Sequence, residues 1–230
     1  MSRRKIILVI VEGPSDRDAL EIPITRIFNR NEVKVHVEHG DVTSEQGANA
    51  RTILAKLGEI IEKFEGRYSV KRRDFQEIIH IVDMDGAYIP DSAVVKDLTA
   101  ENPIYSLQEI RTKNVTEMIE RNMRKQNCLN RLSTRDRVSS IPYKIYYMSS
   151  NLDHVLYDKL NSSDEEKEND SRKFSTQYNN DIKGFINFMA DSPFSVKMPY
   201  KESWEFIKEE KHSLERYTNF GICLTNSSTD

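Results

Sequence analysis

Ile78-Ile79-His80-Ile81-Val82-Asp83-Met84-Asp85-Gly86 is the stretch on which the fold turns. A short, β-branched run that does not alternate with polar residues suits a strand buried on both faces of a parallel sheet. A second run of this kind, Lys5-Ile6-Ile7-Leu8-Val9-Ile10-Val11, stops at Glu12-Gly13. In open α/β sheets, ligands collect beyond the carboxyl ends of the strands. Carboxylates placed there by two strands repel one another unless a cation lies between them. Oxygen ligands without clustered His or Cys select Mg²⁺ or Mn²⁺, so a divalent-cation site is the economical reading.

The sequence around these runs supplies the connections. Ser15, with Asp18 three residues on, reads as a helix cap, and Leu20, Ile24, Ile27 and Phe28 recur at helical spacing. Pro23 is expected to kink or break that helix. Residues 33–37 alternate as a second strand, ending at His39-Gly40-Asp41. Ile53, Leu54, Leu57, Ile60, Ile61 and Phe64 form one helical stripe that Gly66 closes. Strand, helix, strand, helix, strand is a βαβαβ unit, hence a parallel sheet. Further on, 87–103 reads as an irregular insertion, 115–126 as a basic helix and 143–148 as a fourth strand. A short helix then runs through Leu160. The polar stretch 162–173 reads as a loop, with helices over 181–190 and 201–214 and a frayed tail over 226–230. The expected organisation is a catalytic core over 1–160, with an insertion near 87–137, and a polar linker plus helical extension over 161–230.

Composition narrows the class. The chain has 230 residues, of which 31% are charged, and a net charge of -3. Mean hydropathy is -0.65. The apolar run over 6–11 is too short to span a bilayer and lacks a signal-peptide cleavage site, so a cytoplasmic protein without a membrane partner is expected. Cys128 and Cys223 are far apart with no CxxC spacing and read as reduced thiols rather than zinc ligands. Basic residues concentrate over 111–137, including Arg121, Arg124 and Lys125, and again at Arg67, Lys71, Arg72 and Arg73. A solvated helix face and contact with nucleic-acid phosphates explain either cluster equally well.

Val11-Glu12-Gly13-Pro14-Ser15-Asp16-Arg17, followed by a later strand ending in Asp83-Met84-Asp85, resembles the Toprim domain. It is closest to the Toprim part of the overcoming-lysogenization-defect nucleases and related phage-defence proteins. The resemblance covers roughly residues 5–160 in layout. It implies a three-layer α/β Toprim core with a helical carboxyl-terminal extension, and two-metal hydrolysis of DNA or RNA with Mg²⁺ or Mn²⁺. Glu12 and Asp16 would hold one ion and Asp83 and Asp85 the other. Ser149 and Asp153 match a Ser and an acid four residues on, although the family's usual acid there is Glu. Ser149 would bond a phosphate oxygen or metal-bound water, with Asp153 bridging or supporting. The family's supporting Lys would be sought at Lys173 or Lys183, and its ATPase would have to be a separate partner. A homo-oligomer is compatible with all of this.

Other readings stand beside it. Asp85 before Gly86 also suits a turn, Asp83 a helix cap, Asp16 a first helical turn and Asp153 a capping position. Asp41 and His39 suit a plain turn, His80 a packed core position and His154 the surface. Asp83-Met84-Asp85-Gly86 also matches the first motif of haloacid-dehalogenase phosphatases, with Ser149 as the second. That family usually opens with the motif, and 82 residues precede it here. A catalytically idle Toprim-fold binding or assembly subunit is a further alternative, and an RNA-processing Toprim ribonuclease fits the same residues.

Overall fold

The computed structural model describes residues 5–29, 31–37 and 41–227. Its first half contains β1 (Ile6–Val11), α1 (Pro14–Ile27), β2 (Glu32–Val37), α2 (Ile53–Tyr68) and β3 (Phe75–Asp83). Then come β4 (Val94–Lys96), β5 (Ile104–Tyr105), β6 (Ile110–Thr112), α3 (Val115–Leu132), β7 (Arg137–Val138) and β8 (Ile141–Met148). The remainder is helical: α4 (Leu152–Tyr157), α5 (Asp164–Tyr178), α6 (Ile182–Asp191), α7 (Tyr200–Phe206) and α8 (Gly221–Ser227).

The main sheet has the order β2-β1-β3-β8-β7, and all its pairings are parallel except β7 with β8. β1 is buried throughout, and its side chains divide between two cores with the two-residue period of a strand. Ile6, Leu8 and Ile10 meet Leu57, Ile61 and Phe64 of α2, Leu129 and Leu132 of α3, and Trp204. Ile7, Val9 and Val11 meet Leu20 and Ile24 of α1, Phe174 of α5, Phe185 of α6 and Leu224 of α8. The result is an α/β architecture with helices on both faces of a mixed sheet. Cys128 and Cys223 are both buried, and no helix among the described residues is long and apolar enough to cross a membrane.

Several local expectations are corrected. α1 runs unbroken through Pro23, whose ring lies on the buried face. Its start is capped by the Asp16 carboxylate, which accepts from Gly13 N–H at 2.8 Å, while Asp18 pairs with Arg17. α2 passes Gly66 and ends at Ser69, which takes the left-handed conformation (φ 52°). The insertion after residue 87 carries a second, three-stranded sheet, β4-β6-β5. The stretch read as a loop over 162–173 is mostly helix. Ser163 and Glu166 cap it reciprocally (3.3 and 2.9 Å), and Phe174 and Tyr178 are buried four residues apart where it packs on α1. α7 is shorter than 201–214, giving way to turns after Phe206. α8 reaches Ser227, and 228–230 of the expected tail lie outside the described residues, as does His39.

The outer edge of β8 is sealed by side chains. β7 pairs only at Arg137 and Val138. Beyond it, Ile145 N–H donates to the Tyr200 hydroxyl (3.3 Å), which donates back to the Ile145 carbonyl (2.9 Å). Tyr147 N–H donates to Asn219 Oδ1 (2.9 Å), and its carbonyl accepts from Thr218 Oγ1 (2.7 Å). Backbone groups that would otherwise offer a template for pairing are thereby satisfied.

Candidate metal centre

Glu12 follows the last residue of β1 and Asp83 is the last of β3. Because these strands are adjacent and parallel, both carboxylates leave the sheet at the same end. Asp83 N–H donates to Glu12 Oε1 at 3.2 Å, and Asp83 Oδ1 accepts from Leu152 N–H at 2.9 Å at the start of α4. The chain then turns sharply. Asp85 sits at φ 47° with its N–H on the Ser150 carbonyl (2.7 Å), and Gly86 follows at φ 65°. A Cβ at Gly86 would lie 2.7 Å from Leu214 Cδ2, so glycine is required both by conformation and by space. Gly86→Ala is expected to lower stability by about 1–3 kcal/mol in urea unfolding, and an unchanged midpoint would show the turn to be slack.

The loop after β2 contributes an acid that the sequence reading had favoured as a plain turn. Asp41 is such a turn through one oxygen, since Oδ1 accepts from Thr43 N–H (2.8 Å) and Thr43 Oγ1 (2.5 Å). Its other oxygen accepts from Lys125 Nζ at 2.6 Å. Lys125 is fully buried, donates to Asp85 Oδ2 at 2.6 Å and lies 4.0 Å from Glu12 Oε1. Glu12, Asp41 and Asp85 each bring one carboxylate oxygen within 4.8 Å of the others, a grouping that could hold a metal ion.

The electrostatics follow from burial. Glu12 and Asp83 are pushed well above the ordinary carboxylate range, first by burial and then by neighbouring acids. Burial also pushes Asp16 and Asp153 up to about 6 each. Burial would raise Asp41 too, but the charge and hydrogen bond of Lys125 hold it well below its usual value. Burial alone would lower the Lys125 ammonium, and Asp41, Asp85 and Glu12 overcome it and hold it firmly protonated.

The remaining expected site residues are placed as follows. Asp16 borders the cluster but is engaged at Gly13, and Asp153 lies behind it with Lys167 at 3.9 Å. Ser149 is buried; its hydroxyl donates to the Glu215 carbonyl and accepts from Tyr217 N–H (2.6 Å), so it is turned to backbone rather than to a phosphate. Lys125, for which a solvated helix face and a phosphate contact were the two readings, points into the centre instead. Arg121 sits 3.5 Å from Asp85 Oδ2 and donates to the Asp85 carbonyl (3.1 Å), and Arg124 donates to the Ser44 carbonyl (3.2 Å). Arg72 and Arg73 lie at the amino end of β3, at the far end of the strand from Asp83, where Arg72 pairs with Glu62 and Glu65. Lys173 is exposed beside Asp170, and Lys183 is exposed on α6. His80 is a core residue bonded to the Tyr143 hydroxyl (2.8 Å), and His154 is buried rather than on the surface.

No family model, curated protein or solved structure matches this chain. The functional reading therefore rests on the chemistry of the site.

That chemistry predicts a pH signature. Raised carboxyls hold more protons folded than unfolded, so their contribution to stability is lost as pH climbs from ~4 through the folded values near 6. His80, pushed down to about 4 by burial, acts in the opposite sense below its unfolded value. The difference made by a divalent ion isolates the acids. An ion that binds ionised carboxylates competes with protons, so the gain in Tm on adding Mn²⁺ is expected to grow between about pH 5 and pH 8. A flat or shrinking gain would mean that the ion does not bind the raised acids at this end of the sheet.

Proposed function

We propose that this chain is a Toprim-type, Mg²⁺- or Mn²⁺-dependent phosphodiesterase that hydrolyses nucleic acid. The observation that carries the reading is the meeting of Glu12 and Asp83 at the carboxyl ends of neighbouring parallel strands, joined through Asp83 N–H. Around them acid outnumbers base, with Asp16 beside the pair, Asp41 and Asp85 on Lys125, and Arg121 against Asp85. Two buried acids lifted far above their usual range are what a divalent cation stabilises. The donor set fits a hard cation, and Glu12 and Asp83 would hold it with Asp16 and Asp85 at its margin. When bound, such an ion polarises a phosphoryl oxygen and lowers the pKa of water.

The chain's own residues supply orientation and charge. Leu152 N–H fixes the Asp83 carboxylate, and Lys125 clamps Asp41 and Asp85. Arg121, beside Asp85, also lines a cleft of about 340 Å³ with Lys113, Asn114 and Arg124. Glu101 and Glu117 line the same cleft, so its wall is of mixed charge, and Lys113, Arg121 and Arg124 are the side chains in it suited to a sugar–phosphate strand approaching the acids. A separate ATPase partner and a role in defence are carried by the resemblance alone, and both DNA and RNA are candidate substrates. The phosphatase alternative loses support because Ser149, its second-motif residue, is engaged by the backbone of 215–217.

The test begins with calorimetric titration of Mn²⁺ into the wild type and into Glu12→Gln/Asp83→Asn, followed by supercoiled plasmid and structured RNA. Binding lost in the variant, with cleavage of either polymer by the wild type, is the expected result. Binding without cleavage of either would favour a gated enzyme or a phosphatase. No binding would end the catalytic reading and leave a binding or assembly subunit.

A further inference from the structure

The four acids around Lys125 are not equivalent. Asp41 has both oxygens engaged, Oδ1 by Thr43 and Oδ2 by Lys125. Asp85 has Oδ2 engaged by Lys125, with the Arg121 guanidinium 3.5 Å away. Glu12 and Asp83 each spend one oxygen on a backbone N–H. Their second oxygens, Glu12 Oε2 and Asp83 Oδ2, have no hydrogen-bond donor among the described residues. Asp41 is therefore engaged at both oxygens, Asp85 is held by the ammonium at Oδ2, and Glu12 and Asp83 each turn one oxygen away from the ammonium.

We propose that Lys125 is a built-in second cation, so that the centre takes one divalent ion on Glu12 and Asp83 rather than two. The inference rests on the metal reading above and refines it. An ammonium carries three donors, and here two are spent at 2.6 Å on Asp41 and Asp85 while the Glu12 carboxylate lies 4.0 Å away. The ammonium thus stands among the same three carboxylates that could otherwise hold an ion. Mg²⁺ demands ligand oxygens at about 2.0–2.1 Å in octahedral array, and no such ion can share those two oxygens with an ammonium already in contact with both. Lys125 cannot easily swing aside. It lies on the buried stripe of α3 with Met118, Leu129 and Leu132, and none of it reaches solvent. Unlike a metal, this charge is covalently attached and survives chelation.

The stoichiometry of Mn²⁺, counted by calorimetry and by electron paramagnetic resonance on the full chain, tests the inference independently of activity. One Mn²⁺ per wild-type chain is expected. Two per chain would overturn the inference while leaving the metal reading intact, and none would remove the metal reading and the inference with it. Lys125→Met is expected to take up a second Mn²⁺ at Asp41 and Asp85, and a count that stays at one overturns the assignment. Should that variant fail to fold by circular dichroism, Asp41→Asn decides the matter with Lys125 in place. Its single ion is expected to bind within about threefold of the wild-type affinity, and its loss would put the ion on the Asp41 side.

Discussion

Lys125→Met is expected to lower the unfolding free energy by about 3–5 kcal/mol without divalent ions, because it leaves the largely buried Asp41 carboxylate without its ammonium and Asp85 with Arg121 alone. For a chain of this size that corresponds to a fall in Tm of roughly 6–20 °C. The methylene stem is retained, so packing on α3 is largely preserved and the loss reads the ammonium. Added Mn²⁺ is expected to recover much of the loss, since an ion that binds only the folded state stabilises it by mass action. Differential scanning calorimetry with and without Mn²⁺ measures both quantities. A wild-type Tm in the metal-free variant would mean that the lysine is electrostatically idle.

Glu12→Gln is expected to move activity and stability in opposite directions. Glutamine retains the carbonyl oxygen that accepts from Asp83 N–H but cannot serve as an anionic ligand. Metal-dependent cleavage of plasmid or RNA is expected to fall by about 10³-fold, equivalent to ~4 kcal/mol of transition-state stabilisation. Metal-free Tm near pH 8 is expected to rise, because the wild-type carboxyl is forced to ionise in a buried, acid-rich setting. Asp83→Asn follows the same logic, keeping its bond from Leu152 N–H. A variant that loses stability along with activity would show that Glu12 serves the fold instead.

The strands that build the centre were legible because a fully buried parallel strand leaves a plain mark, a β-branched run with an abrupt acidic end. Glu12, Asp83 and Asp85 came with them. Asp41 was not legible, because its turn role is real for one oxygen and the sequence carries no sign of the second. Lys125 was misread from charge density, although a better signal was present. Met118, Lys125, Leu129 and Leu132 share one helical stripe, and a lysine on the inward face of an amphipathic helix has to find a buried partner. The helix over 164–178 was hidden by its polar composition, yet Ser163-x-x-Glu166 is a capping signature and Phe174 and Tyr178 mark a face. Ser149 shows the limit of spacing arguments. It stands where expected in the chain, but the returning carboxyl-terminal segment supplies the backbone partners for its hydroxyl.

The two borders of the main sheet are unlike. On the β8 side the short β7, the Tyr200 hydroxyl, Asn219 and Thr218 occupy the backbone groups, whereas the other border is formed by β2, which pairs with β1. Endless edge-to-edge growth needs two complementary borders on each molecule, one to give and one to receive. Among the described residues, the carboxyl-terminal segment thus withholds one of the main sheet's two borders from such growth.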